Sequence, residues 1–314
     1  VTSIYQDEFG IIWIGTKDGL NRYNGTDFYV FRPVKGDKNS LYNNNIGTIC
    51  GDKQGHIYIR CKYAVVEYDI KKNTFHTIRD NDIQAITYDN ARLWVCTRDS
   101  LFTYNRVEDR LDYYYNLEGV RMSCVTEDSA GNLYVGTMNN GLYMIDHNKK
   151  WLNYFPKKDI TCIYEDSKKS IWVGTKDDGL FRLDRNGGIT NYGTAPHQNM
   201  LSSSYVRCVV EDNLGNYWIG TFKGLDKLDV TTGTFTHYSK DNKPYSLSNS
   251  SIICMMKDRQ GTFWIGTYYG GVNLFNPDYE IYTYYYPDES QKGKLTSPFA
   301  GRMTEDSNGG IWIA

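Results

Sequence analysis

Short apolar runs separated by polar turns fill the chain, and one arrangement of them returns eight times. Each time an aspartate precedes an aromatic anchor: Asp7 and Trp13, Asp52 and Tyr58, Asp128 and Tyr134, Asp166 and Trp172, Asp212 and Trp218, Asp258 and Trp264, Asp306 and Trp312. Asp89 stands one residue closer to its anchor, Trp94. The anchors recur every 36 to 48 residues. A fixed period of this length is the mark of a repeat architecture. The apolar pattern within one period predicts four short strands. The first ends just before the aspartate, as in Val1–Tyr5, and an Asp-x-x-Gly turn follows, as in Asp7–Gly10 and Asp128–Gly131. In such a turn the aspartate accepts backbone hydrogens and glycine takes the positive-φ position. The second strand is the Trp-Ile-Gly-Thr segment of Trp13–Thr16 and its counterparts. A second turn leads into Gly-Leu, as at Gly19-Leu20, Gly141-Leu142, Gly179-Leu180 and Gly224-Leu225, where the third strand opens. The fourth carries apolar pairs three apart: Phe28 and Phe31, Phe75 and Ile78, Trp151 and Tyr154, Phe235 and Tyr238.

A four-stranded unit cannot bury both of its faces alone, whereas units packed around an axis can. The pattern therefore predicts an all-β protein, a seven-bladed β-propeller of four-stranded antiparallel blades. Seven complete modules fill residues 1–299, with a last recognisable strand ending near Tyr286. Residues 300–314 hold two strands of an eighth, read as the truncated start of a further module or as a closing hairpin.

Composition agrees. Of 314 residues 28 are Tyr, 29 are Gly and only 7 are Pro, which suits half-buried strands joined by tight turns. Charge excludes more: 35 Lys and Arg against 37 Asp and Glu leave a net charge of −2, so no nucleic acid partner is expected. No apolar run reaches a membrane-spanning length, so this segment is expected to make no direct membrane contact. Of the seven cysteines, Cys124, Cys162, Cys208 and Cys254 sit four residues before a module aspartate, where other modules place Ser3, Thr48 and Ala85. The shared property is small size, which predicts buried thiols in a cramped inner strand. The five histidines, His56, His76, His147, His197 and His237, fall at unrelated module positions. No metal-ligand spacing, phosphate loop, catalytic triad order or kinase signature is present, so no catalytic residue, metal or cofactor is assigned.

The repeated Glu-Asp, Gly, Ile-Trp-Ile-Gly-Thr and Gly-Leu elements, with the Leu-Ser/Asn-rich lead-ins Ser40–Ile46, Met200–Val206 and Ser246–Ile252, resemble the two-component regulator propeller repeat. The resemblance covers essentially the whole chain. It implies a periplasmic sensor region of a hybrid two-component histidine kinase. Such a parent has adjoining propeller and β-sandwich domains, a membrane helix and a kinase core outside this chain, and forms a homodimer. It also implies an oligosaccharide ligand, because such sensors respond to glycan breakdown products. Some modules depart from the pattern: Tyr58–Cys61 replaces Trp-Ile-Gly-Thr, Cys96 replaces the glycine, and Lys169 stands at a turn-glycine position.

Uneven module length is the best pointer to a site. Long connections, near residues 32–45, 193–205, 239–251 and 287–299, precede modules two, six, seven and eight. In a closed ring they neighbour one another and share a face with the second turns. Loops on a rigid scaffold commonly carry function. The unusual residues on that face are Arg60, Lys62 and Tyr63 in module two, and Asn139 and Asn140 in module four. Tyr205 and Arg207 follow in module six, Tyr268 and Tyr269 in module seven, and Arg302 beyond. Tyrosine rings stacking on sugar faces, with Asn and Arg bonding hydroxyls or acidic groups, suit an oligosaccharide. The competing expectation is that these tyrosines pack between blades or against a second propeller. A propeller enzyme such as a polysaccharide lyase, or a plain interaction scaffold, remains as an alternative to the sensor. A lyase needs a base with a cationic neutraliser near the axis, and no central histidine offers one.

Overall fold

The computed structural model describes residues 1–193, 200–241, 246–277, 303–307 and 311–313. Val1–Phe275 forms one compact unit and Asn276–Ala314 a second. Within the second unit, Met303–Glu305 and Ile311–Ile313 pair as an antiparallel hairpin.

The first unit is a seven-bladed β-propeller. Six sheets of four antiparallel strands follow one another in chain order, and the seventh displays three strands between Ile252 and Phe275. The expected fourth strand of that blade, near Tyr286, lies outside the described residues. The seven first strands are Ser3–Gln6, Ile46–Gly51, Ala85–Asp89, Met122–Glu127, Ile160–Glu165, Val206–Glu211 and Ile252–Lys257. Each touches the first strand of the next blade, and the seventh touches the first, so they form a closed inner ring.

Seven apolar clusters of described residues fill the seven seams, each drawing on two adjacent blades. Trp13 and Leu20 of blade 1 pack with Ile46, Ile57 and Tyr68 of blade 2. Trp172 and Leu180 of blade 5 pack with Val206 and Tyr217 of blade 6. The seam between blades 7 and 1 has the same build, with Trp264 against Ile4, Ile12 and Ile14. The anchor aromatic is thus the residue a blade lends to its neighbour. Trp13, Trp94, Trp172 and Trp218 are fully buried, and burying such a ring contributes on the order of 3 kcal/mol.

The aspartates do two tasks. One carboxylate oxygen caps the turn: Asp7 accepts the N–H groups of Phe9 and Ile11 at 3.0 and 2.9 Å, and Asp212 those of Leu214 and Asn216 at 2.9 and 2.8 Å. The other accepts the indole N–H of the anchor, at 2.8 Å from Trp13, 2.9 Å from Trp172, 3.0 Å from Trp218 and 2.8 Å from Trp264. Glycine takes the left-handed turn position at Gly10 (φ 86°) and Gly215 (φ 81°), while blade 5 sets Lys169 there at φ 67°.

The close spacing of Asp89 and Trp94 has a structural reason. Asp89 pairs directly with Arg92, so only Asn90 and Ala91 form the turn, both with positive φ, as a two-residue hairpin demands. Asp89 then reaches blade 4 instead, accepting the Glu127 N–H at 3.0 Å, and the Trp94 indole bonds the Glu127 carboxylate at 2.7 Å.

In blades 1, 5 and 6 the residue before the aspartate also clasps the preceding blade. Glu165 accepts the Ser129 N–H at 3.0 Å, Glu211 the Ser167 N–H at 2.7 Å, and Gln6 the Arg259 N–H at 3.0 Å. The last bond is the ring-closing copy of the first two, and Arg259 adds donations to the carbonyls of Asp7 and Glu8 at 2.6 and 2.9 Å. The apolar pairs of the outer strands divide rather than pack together. Phe28 and Trp151 are exposed while Phe31 and Tyr154 join clusters, because residues three apart on a strand point to opposite faces.

Asp166 holds the Ser170 N–H, the Trp172 indole and the Tyr217 hydroxyl of the next blade at 2.7, 2.9 and 2.7 Å. Asp166→Ala is therefore expected to lower unfolding free energy by about 3 kcal/mol, since it strands buried donors. Urea titration checks this, with exposed Asp177→Ala changing stability by less than about 0.5 kcal/mol. Because blades 7 and 1 close the ring directly, deleting residues 300–314 is expected to leave the urea midpoint unchanged. A lowered midpoint would assign those residues a closing role.

Candidate functional site

Antiparallel order places the aspartate turns on one face of the ring. On the other face lie the second turns and the connections that lead into each first strand. On the aspartate face the module aspartates are engaged by the bonds above. On the loop face the Thr of each Trp-Ile-Gly-Thr segment closes the second turn, as Thr175 does to the Gly179 carbonyl at 2.8 Å and Thr221 to that of Gly224 at 2.9 Å. The lead-ins anchor there too. Leu41 and Leu201 are buried in seams, and Ser202 donates its N–H and hydroxyl to buried Asp226 at 2.8 and 2.9 Å. His237 bonds the other Asp226 oxygen at 2.7 Å. The carboxylate separates Ser202 from His237, so these three hold a loop and do not form a nucleophile–base pair.

Size complementarity near the axis explains the cysteines. A Cβ on Gly136, Gly174, Gly220 or Gly266 would collide with the sulfur of Cys124, Cys162, Cys208 or Cys254 and with Ile160, Val206, Ile252 or Val1 of the next blade. Blade 3 exchanges the sizes, pairing Cys96 with Ala85. Blade 2 exchanges them further: Arg60 occupies the glycine position and its guanidinium stands over Gly47. Burial pushes the thiols of Cys61, Cys124, Cys162 and Cys254 up to about 12.

The described residues singled out by sequence form four groups. Arg60, Lys62 and Tyr63 lie together, with Arg60 donating to the Lys62 carbonyl at 3.0 Å and the Lys62 ammonium 5.8 Å from the Tyr63 ring. Burial lowers the pKa of Arg60, and its Nε has no partner. Arg207 lies 4.6 Å over Tyr205 and 5.1 Å from Phe222, while donating to Ser251 and to the Ile252 carbonyl of the next blade at 2.9 and 3.0 Å. Ser123 and Thr161 make the same reach to Ile160 and Val206, so Arg207 fastens a seam as well as facing the axis. Tyr268 and Tyr269 form an edge-on pair at 4.4 Å, 48% and 82% exposed. Asn139 and Asn140 are tied into their turn, through Asp159 at 2.6 Å and Asn153 at 3.0 Å. Arg302 lies outside the described residues. No hydrogen bond, ion pair or ring contact among the described residues joins the four groups.

A hollow of about 370 Å³ opens on this face, lined by Tyr63, Asp82, Gln84, Arg98 and Arg121. Of these only Tyr63 was expected. Arg98 occupies in blade 3 the second-turn position of Lys62, and Arg121 the pre-strand position of Tyr205. The same register applied to every module finds both. The hollow lies where connections are short. The long 32–45 connection instead walls a second hollow of about 720 Å³ against Phe75, His76 and Thr77 of an outer strand. Backbone strain marks the second turns of blades 2, 4 and 7, with left-handed Lys62 (φ 56°), Asn139 (φ 62°) and Tyr269 (φ 52°). Asparagine accepts that conformation readily, a bulky tyrosine does not.

Comparison with known proteins agrees with the fold. The two-component regulator propeller model matches residues 1–18, 154–177, 200–223 and 246–269, and these stretches are repeats of that family. The chain is similar to the extracellular domain of a hybrid two-component system from B. thetaiotaomicron, with 26% identity and a TM-score of 0.79 over 100% of this chain and 44% of that one. It also resembles the extracellular domain of a one-component system from the same organism, at 21% identity and TM-score 0.71 over 100% and 49%. Virginiamycin B lyase from Staphylococcus aureus shares the fold at 12% identity, TM-score 0.69, over 86% and 92%. The chain spans less than half the length of the first two relatives. A comparison with the curated proteins finds no match. The repeat matches and the 26% identical relative both liken this chain to the propellers of two-component sensors. No described helix is long and apolar enough to cross a membrane.

The raised thiol pKa values carry a pH signature. The folded state holds these protons more tightly than the unfolded chain, whose thiols titrate near 9.0. The associated stability is complete below pH 9 and is lost as pH rises toward 12. Urea midpoints are expected to fall across that window, and a thiol reagent at pH 8 to label the buried Cys61 and Cys96 only after unfolding. Rapid labelling of those two in the native protein would contradict their burial.

Proposed function

We propose that this chain is the periplasmic ligand-sensing propeller of a hybrid two-component histidine kinase responding to glycan breakdown products, with the kinase and phosphorelay elsewhere in the parent protein. The parent also carries an adjoining propeller and a β-sandwich domain and works as a homodimer. One observation carries the reading: the second turns of the loop face present exposed Tyr63, Phe222, Tyr268 and Tyr269. Exposed tyrosines offer flat apolar rings with a polar tip, and Tyr and Arg are enriched at binding hot spots. Similarity to an extracellular sensor domain supports the same reading. A scaffold role draws support from another place, the outer strand of blade 1, where Phe28, Tyr29 and Val30 are all exposed. Such an edge is suited to an adjoining domain.

Calorimetric titration of the chain with a panel of neutral and acidic oligosaccharides tests the sensing role. At least one glycan is expected to bind, and Tyr268→Ala with Tyr269→Ala to weaken it about tenfold without moving the thermal midpoint. Unchanged affinity would remove both tyrosines from the site, and silence across the panel would favour the scaffold.

A further inference from the structure

The hollow at blades 2 to 4 gathers cations that have no ion pair. Elsewhere on the loop face several cations are matched, Arg32 with Asp18 at 2.8 Å, Lys158 with Asp178 at 2.7 Å and Lys176 with Asp159 at 3.8 Å. Arg98 and Arg121 line the hollow and Lys62 stands on its rim, all exposed. None of their side chains meets a carboxylate among the described residues. The one acid of the lining is already engaged: Asp82 accepts the Arg98 backbone N–H at 3.3 Å and the Gln84 amide at 3.4 Å. It shapes the rim without pairing with either guanidinium, so the lining sets two cations against one carboxylate.

Behind them lies a fourth cation. Arg60 reaches its place only because Gly47 has no side chain, since a Cβ there would collide with the guanidinium. It bonds the carbonyl of Lys62, next in the chain to Tyr63. A cation withdrawn from water without a counter-ion is costly, and an anion bound nearby offsets that cost. Guanidinium groups hold planar or tetrahedral oxyanions by paired hydrogen bonds. Exposed Tyr63 adds a ring on the wall, and the volume of about 370 Å³ falls within the ~300–1,000 Å³ of small-molecule sites.

We propose that this hollow binds the anionic group of an acidic saccharide, a uronate carboxylate or a sulfate ester, with Arg98 and Arg121 gripping the anion, Gln84 bonding a hydroxyl and Tyr63 facing the sugar ring. The proposal rests on the loop face being the glycan-binding face, and adds the charge of the ligand and the blades that read it.

The test is calorimetric titration of the chain with digalacturonate, with a monosulfated disaccharide and with neutral galactobiose. An acidic probe is expected to bind, more weakly as NaCl rises from about 50 to 500 mM, and galactobiose not to displace it. The acidic probe that binds decides between carboxylate and sulfate. Arg98→Gln and Arg121→Gln are each expected to weaken it by about tenfold or more, with unchanged thermal midpoints because both residues are exposed. Gly47→Val, which pushes Arg60 aside, is expected to weaken it too. Acidic probes binding the two Gln variants as they bind the native chain would overturn the proposal. So would failure of both acidic probes. If neutral glycans bind and lose affinity in Tyr268→Ala while acidic ones do not bind, the sensing role stands and the anion site falls.

Discussion

The structure depends on a carboxylate that faces two ways. In blades 1, 5, 6 and 7 the module aspartate fixes the first turn with one oxygen and the anchor indole with the other. The indole ring is inserted in the next blade's apolar seam, so turn geometry and inter-blade packing are coupled through one side chain. A tryptophan N–H buried without an acceptor would cost about 1–3 kcal/mol. The aspartate removes that cost at the four seams anchored by Trp13, Trp172, Trp218 and Trp264. Where the turn shortens, at Asp89, the acceptor comes from Glu127 of blade 4 and the indole remains satisfied. The requirement is conserved within the molecule although the residue meeting it changes.

The same economy of space rules the axis. First strands crowd one another there, and each pair of facing positions holds one small and one larger group. Glycine meets cysteine in four blades, Cys96 meets Ala85 in blade 3, and Arg60 meets Gly47 in blade 2. Blade 2 is thus a blade in which structural space has been released to a charged side chain. That release needed two coordinated departures, in two strands, and its product is a cation bonded to the turn that carries Tyr63.

Much of the fold was legible because its causes are local and repeat. Asp-x-x-Gly, the anchor aromatic and the Gly-Leu turn each have a fixed physical task, and eight copies average out the exceptions. The pairing of Cys124 with Gly136, or of Arg60 with Gly47, was not legible. It depends on which residues face each other across strands, and a bulge shifts the register between Ile46 and Ile49. The candidate site was legible in part. Tyr63 was read from its odd turn, but Arg98 hid inside a turn of ordinary composition, and Arg121 in a lead-in lacking the Leu-Ser signature. Arg207 was read as a binding residue from its type and its place at the start of a first strand, and the structure gives its guanidinium partners on the neighbouring blade.

These features bear on how such a ring could signal. A ligand shifts an equilibrium only by binding one arrangement better than another. The seven seams of the propeller are each closed by an apolar cluster, and close-packed interiors switch between discrete arrangements and do not deform smoothly. The clasp of Gln6 to Arg259 closes the last seam with the same bond that Glu165 and Glu211 make elsewhere, so no described seam is built to part before the others. A propeller of this kind is best suited to moving as one body. In the proposed sensor, differential affinity would then arise where the loop face or the exposed outer strand of blade 1 meets another domain, and the basic hollow would act by changing what that face presents.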